Sequence, residues 1–193
     1  MEKACLTKVA ITGGIGSGKS YVCERLRQHG IDIYDCDAAA KRLMRTSKKL
    51  IASISQLVGE DAYSDGKLNK AAIARFMMES EDNIQKINQL VHPAVGRDFI
   101  RSQMRWMECA ILFESGFQRY VDKVVCVTAP KETRIRRVME RDGIAREKVL
   151  EWMGKQLPQH IVAQRSDFVI VNDEVANVDE QVERLLTQLD FAQ

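Results

Sequence analysis

Only three prolines interrupt this chain, and no run of apolar residues approaches the ~18 that a membrane-crossing helix requires, so no transmembrane anchor is expected. Charge of one sign is also missing. Its 29 basic and 27 acidic residues leave a net charge of +2, without the basic excess that usually marks a nucleic-acid binder. The five cysteines, Cys5, Cys23, Cys36, Cys109 and Cys126, are scattered and include no Cys-x-x-Cys pair. That excludes a zinc ribbon or a disulfide framework and suits single buried thiols in a reducing compartment. The opening residues MEKACLTKVAI contain too short an apolar run for a signal peptide. The expectation is a cytoplasmic protein with no membrane or nucleic-acid partner, working as a monomer or weak homo-oligomer.

What remains is ordinary globular composition, 45% hydrophobic and 29% charged over 193 residues, enough for one α/β domain with smaller inserted lobes. Five short apolar runs read as buried parallel strands: KVAIT (8–12), IDIYD (31–35), ECAILF (108–113), KVVCVT (123–128) and DFVIV (167–171). Helical patterns alternate with them, beginning with 18–30, which ends on Gly30 at a left-handed cap position. Such alternation argues for a three-layer α/β fold. The spacing is uneven. The seventy or so residues between the second and third strands show no convincing strand and read as an all-helical insertion. A second insertion carries a local basic excess, seven basic against four acidic side chains over 131–148.

The stretch GGIGSGKS (13–20) contains Gly-x-x-x-x-Gly-Lys-Ser, the phosphate-binding loop pattern, placed between an apolar strand and an amphipathic helix. Its glycines let successive N–H groups turn toward an oxyanion, and the helix start adds its positive dipole end. Gly14, Ile15, Gly16, Ser17, Gly18, Lys19, Ser20 and Tyr21 form the expected ATP-binding set. Lys19 reaches the terminal phosphates, and Ser20 is the expected Mg²⁺ ligand.

Other absences narrow the class. A GTPase would need Asn-Lys-x-Asp, but NKAA (69–72) lacks the aspartate and no Asp-x-x-Gly switch occurs; a transporter signature is missing as well. A small-molecule kinase remains. If the strands are parallel, their C-terminal ends share one edge, where α/β sheets bind ligands. That edge would collect Asp35 and Asp37 after the second strand and Glu114 after the third. A carboxylate there can accept a proton or hold a metal; Asp37 could equally cap the helix that follows. Arginines of the basic insertion (Arg137, Arg141 and Arg146, with Arg141 preferred) could neutralise charge during phosphoryl transfer.

With the segments TGGIGSGKS (12–20), DCDAAAK (35–41), DGKLNKAAIARFMM (65–78), HP (92–93), ILFESG (111–116), RDGIAREK (141–148) and FVIVND (168–173), the chain resembles the dephospho-coenzyme A kinases. The resemblance implies a P-loop kinase fold with a five-stranded parallel sheet of order 2-3-1-4-5. It also implies transfer of the ATP γ-phosphate to the ribose 3′-hydroxyl of dephospho-CoA. Asp37 would be the general base, supported by Asp35, with Lys41 and His92 in the substrate pocket and Asn172 near the adenine. The implied division is a core of 1–36, 106–130 and 160–193, a helical substrate lobe of 37–105, and a lid of 131–159. Two departures stand out: Lys41 replaces a frequent arginine, and Asp-Glu-Val follows Asn172 where the family often has glycine. Apart from the resemblance, a nucleoside or nucleoside monophosphate kinase and a non-catalytic ATP-binding regulator remain open.

Overall fold

The computed structural model describes residues 7–189, and these divide into two units, one formed by 7–34 with 104–189 and the other by 35–103. Cys5 lies outside the described residues. The four described cysteines, Cys23, Cys36, Cys109 and Cys126, are buried, as expected.

The first unit is built on a five-stranded parallel sheet. Its strands are β1 (Val9–Thr12), β2 (Ile33–Asp35), β5 (Trp106–Glu108), β6 (Lys123–Thr128) and β7 (Phe168–Val171), in the order β2-β5-β1-β6-β7. Counting these five alone, this is the expected 2-3-1-4-5. Val9 sits opposite Trp106 on one side and Lys123 on the other, and β6 continues onto β7 with Val125 opposite Phe168. Both central strands are apolar on both faces because helices cover both, as parallel sheets demand. On one face α1 (Lys19–Gln28) and α9 (Val178–Gln188) bury Val22, Leu26, Val182 and Leu185 against Val9, Ile11, Val125, Val127 and Ile170. Burying each such side chain contributes roughly 1.5–3 kcal/mol. Against β6 packs α8 (Gln159–Gln164). The remaining helices are α6 (Lys131–Asp142) and α7 (Arg146–Gly154), joined through Ile135, Val138 and Val149. Gly143 ends α6 with φ 65°, a left-handed conformation that glycine adopts freely.

The third core strand is not where the apolar run placed it. It occupies 106–108, while Cys109–Gly116 turns irregularly with Leu112 fully buried. Buried turns and buried strands are equally apolar, so the run CAILF could not separate them.

The second unit contains α2 (Cys36–Thr46), α3 (Lys48–Val58), α4 (Lys70–Glu79) and α5 (Glu81–Ser102). The last spans 22 residues, about 33 Å, and touches the other three. Pro93 lies inside it without ending it. An interior proline, whose lost backbone bond and ring clash together cost about 3 kcal/mol, is tolerated where Val91, Val95 and Phe99 are buried on either side. The unit is not all-helical. A two-stranded antiparallel hairpin, β3 (Tyr63–Ser64) with β4 (Lys67–Leu68), turns on Asp65 and Gly66 at φ 49° and 72°. Positive φ at both central residues is the geometry that Asp-Gly supplies in tight hairpins. The continuous helical stretch expected over DAAAKRLMRTSKKLIASISQLVG (37–59) is broken at Ser47, whose hydroxyl caps α3 by accepting from the Leu50 N–H. The helix expected to continue to Met107 stops at Ser102, with Gln103 left-handed.

Candidate active site

Residues 13–18 link the C-terminal end of β1 to the first turn of α1, and four of the six are glycines. Three have backbone reasons that no other residue meets. Gly13 has φ 144°, and a Cβ there would collide with the Val127 carbonyl. Gly16 has φ 77° and lies so close to the Arg134 carbonyl that a Cβ would collide with it. Gly18 has φ 89° at the N-cap of α1 and is covered by the Asn172 side chain. Inside the loop the Ser17 N–H donates to Gly14 O (3.1 Å), and Lys19 Nζ donates to Gly13 O (2.9 Å). The Ser17 hydroxyl is buried without a hydrogen-bond partner, the kind of orphan that a buried site normally resolves with a ligand or water. Ser20 follows in the first turn and is exposed.

One member of the expected ATP set has its amide engaged elsewhere: the Ile15 N–H donates to Gln156 Oε1 (2.8 Å). Its carbonyl accepts from Arg134 Nε (2.9 Å). Arg134, which sequence reasoning missed, is 7% exposed, and burial pulls its guanidinium pKa below the ordinary value. Its position before Ile135, on the face of α6 that turns inward, was the available signal.

Beside Gly18 opens a cavity of about 520 Å³ lined by Tyr21, Arg137, Asn172, Glu174, Asn177 and Asp179 among others. Asn172 is 8% exposed, and its Nδ2 donates to Ser17 O (3.1 Å), tying the end of β7 to the loop. The Tyr21 hydroxyl accepts from Arg25 Nη2 (2.7 Å), a bond that raises the Arg25 pKa. Arg137 reaches Glu174 (3.3 Å), while its buried Nη1 has no partner. Arg141 and Arg146 point to other partners. Arg141 is bidentate with its neighbour Asp142 (2.8 and 2.7 Å), and Arg146 is bidentate with Glu132 (2.7 and 2.8 Å). Glu114, six residues beyond the end of β5, accepts from the Leu157 N–H (2.9 Å) and so anchors the segment before α8.

In the helical unit, Asp35 is the N-cap of α2, its Oδ1 accepting from the Ala38 N–H (2.9 Å). The capping role open to Asp37 therefore belongs to Asp35. Asp37 stands in the first turn, exposed, and shares a helix face with Lys41 four residues on. His92 is half-buried on α5. A groove of about 420 Å³ runs beside α5, lined by Leu43, Lys49, Pro93, Arg97 and Arg101 among others. Asp98, which also lines the groove, pairs with Arg42.

Among the described residues no cluster of three or more His, Cys, Asp or Glu could cage a metal. No described helix is long and apolar enough to cross a membrane.

Comparison with known proteins adds family membership to this geometry. The family model described as dephospho-CoA kinase matches residues 7–180, nearly the whole chain. A dephospho-CoA kinase of Bacteroides fragilis is 36% identical over 177 residues, covering 86% of this chain and 84% of the relative. Another, from Chlorobaculum tepidum, is 35% identical over 198 residues and covers 94% of each. A solved structure from Thermus thermophilus superposes with a TM-score of 0.79 at 31% identity, over 96% of both chains.

Proposed function

The chain belongs to the dephospho-CoA kinase family, and from that premise we propose that it moves the γ-phosphoryl of ATP onto the ribose 3′-hydroxyl of dephospho-CoA, giving CoA and ADP. The observation that carries the reading on the ATP side is the loop itself. Left-handed glycines, an orphaned buried Ser17 hydroxyl and Lys19 are gathered at the start of a helix, where phosphate oxygens are stabilised. On the acceptor side, Asp37 is free of the capping duty that Asp35 performs.

In this reading Gly14, Ile15, Gly16, Ser17, Gly18 and Lys19 hold the triphosphate, and Tyr21 and Asn172 border the nucleoside. The Ile15 contribution comes from packing, since its amide is already donated to Gln156. Ser20 would hold Mg²⁺, which when bound neutralises phosphate charge and orients the terminal phosphoryl. Asp37 accepts the proton of the attacking 3′-hydroxyl as the bond to phosphorus forms. Asp35 fixes the turn that presents it, and Glu114, Lys41 and His92 complete the substrate contacts. Lys49, Arg97 and Arg101 give the helical unit a cationic groove, which supports an acceptor that carries a diphosphate. Arg141 is the catalytic arginine of this proposal. It would exchange its exposed partner Asp142 for the transferring phosphoryl when the lid, residues 131–159, closes. The substrate lobe would be 37–105 and the core 1–36, 106–130 and 160–193. The protein acts in the cytoplasm as a monomer or weak homo-oligomer, with no nucleic-acid or membrane partner.

The test is incubation with dephospho-CoA and Mg-ATP, with the product weighed by mass spectrometry and ADP measured in a coupled assay. The expected result is a gain of one phosphoryl group on the acceptor, at the 3′ position, with stoichiometric ADP. Turnover on AMP or thymidine with none on dephospho-CoA would overturn it.

A further inference from the structure

The turn after β7 is built in a way that the phosphate loop does not explain. Asp173 braces it, its Oδ1 accepting from the Val175 N–H (3.0 Å) and the Ala176 N–H (2.8 Å), and these backbone bonds lower its pKa. Asn177 closes the segment by capping α9. Between them Glu174 has φ 76°, a left-handed conformation disfavoured for any residue with a Cβ. Glycine would sit there without strain, so the side chain is retained against a backbone cost. That side chain reaches α6: its Oε1 accepts from Arg136 Nη2 (2.6 Å) and Arg137 Nη2 (3.3 Å). Arg137 in turn borders the cavity beside Gly18 and carries the buried, unpartnered Nη1.

We propose that Glu174 is a positioning residue for the nucleotide: from its left-handed turn it holds Arg137 in place at the wall of the cavity beside Gly18, and so sets ATP affinity without entering the chemistry. The inference rests on reading that cavity as the nucleotide's place. An arginine fixed before the ligand arrives loses less side-chain freedom on binding, which is where the affinity arises. Asn172 and Glu174 then act from one short turn on two partners, the first on the Ser17 carbonyl and the second on α6. The pair is half-exposed, with Arg137 at 23% and Glu174 at 50% side-chain exposure, which limits its effect to a few-fold.

The experiment compares wild type with E174G and E174Q. It measures ATP affinity by calorimetry without acceptor, melting temperature, and kcat with KM for ATP. Both variants are expected to bind ATP two- to fivefold more weakly with kcat within twofold of wild type. E174G is expected to melt no lower than wild type, because glycine relieves the left-handed backbone. A side chain that only supported the fold would instead lower the E174G melting temperature. ATP affinity within twofold of wild type in either variant, a fall in kcat matching the loss of affinity, or a less stable E174G would each overturn the proposal. Because affinity is read without acceptor, failure of wild type to phosphorylate dephospho-CoA would sink the functional reading alone.

Discussion

Asp35 and Asp37 are two residues apart, chemically identical and both exposed, yet they are expected to fail in opposite ways. Asp35→Ala removes the acceptor of the Ala38 N–H, a 2.9 Å bond at the start of α2. Loss of an aspartate cap costs about 1 kcal/mol, and the negative charge lost near the helix start adds roughly 0.3–1 kcal/mol. For a chain of this size each kcal/mol moves the melting temperature by ~2–4 °C, so a fall of about 3–8 °C is expected. Asp37→Asn breaks no hydrogen bond of the cap and loses only its first-turn charge, worth roughly 0.3–1 kcal/mol, so it should melt about 1–4 °C below wild type. Its cost is catalytic: an amide cannot take the proton of the attacking hydroxyl, and kcat should drop ~10²–10⁴-fold with ATP affinity near normal. Thermal melts and steady-state kinetics on the two variants give four numbers. Asp37→Asn turning over within about threefold of wild type would refute the base assignment. Asp35→Ala melting like wild type would refute the capping geometry.

Three further outcomes follow from the core unit. Gly16→Ala must place a Cβ against the Arg134 carbonyl at φ 77°. It should lower stability by about 1–2 kcal/mol or more and weaken ATP binding at least tenfold; wild-type values in melt and titration would contradict the loop geometry. Asp167 accepts from the Val124 N–H (2.9 Å) and Lys123 Nζ (3.0 Å). Burial pushes its carboxyl pKa up, but these bonds more than offset it and leave the pKa below the ordinary 3.8. Its contribution is therefore full above that value and lost as pH falls below it, a slope that Asp167→Asn should flatten in acid unfolding titrations. Finally, ATP with dephospho-CoA should protect residues 131–159 from limited proteolysis, and equal cleavage with and without substrates would remove the lid from the scheme.

The parts legible in the sequence were those whose physics is local. The glycine loop announces itself because phosphate binding dictates spacing, and β6 and β7 because β-branched residues crowd short apolar runs. What escaped depends on the partner across space. β5 begins at Trp106, where an arginine and a tryptophan disguise a strand defined by its place between β2 and β1. Arg134 looked like one more member of a charged helix, and only packing against the loop shows it buried. The choice of Asp35 as cap rests on one hydrogen bond that composition cannot rank. The Asp65-Gly66 turn was readable in principle, but strands of two residues leave no alternation to detect.

The placing of β1 has a temporal consequence. It leaves the ribosome before the other four strands of its sheet and lies in the middle, yet its neighbours on either side begin at Trp106 and Lys123. At ~5–20 residues per second, β1 waits about 5–20 s before either partner exists. During that interval an apolar ribbon with two bare edges must be kept from strangers. The nascent chain is thus a natural client for a holding chaperone until residue 128 has emerged.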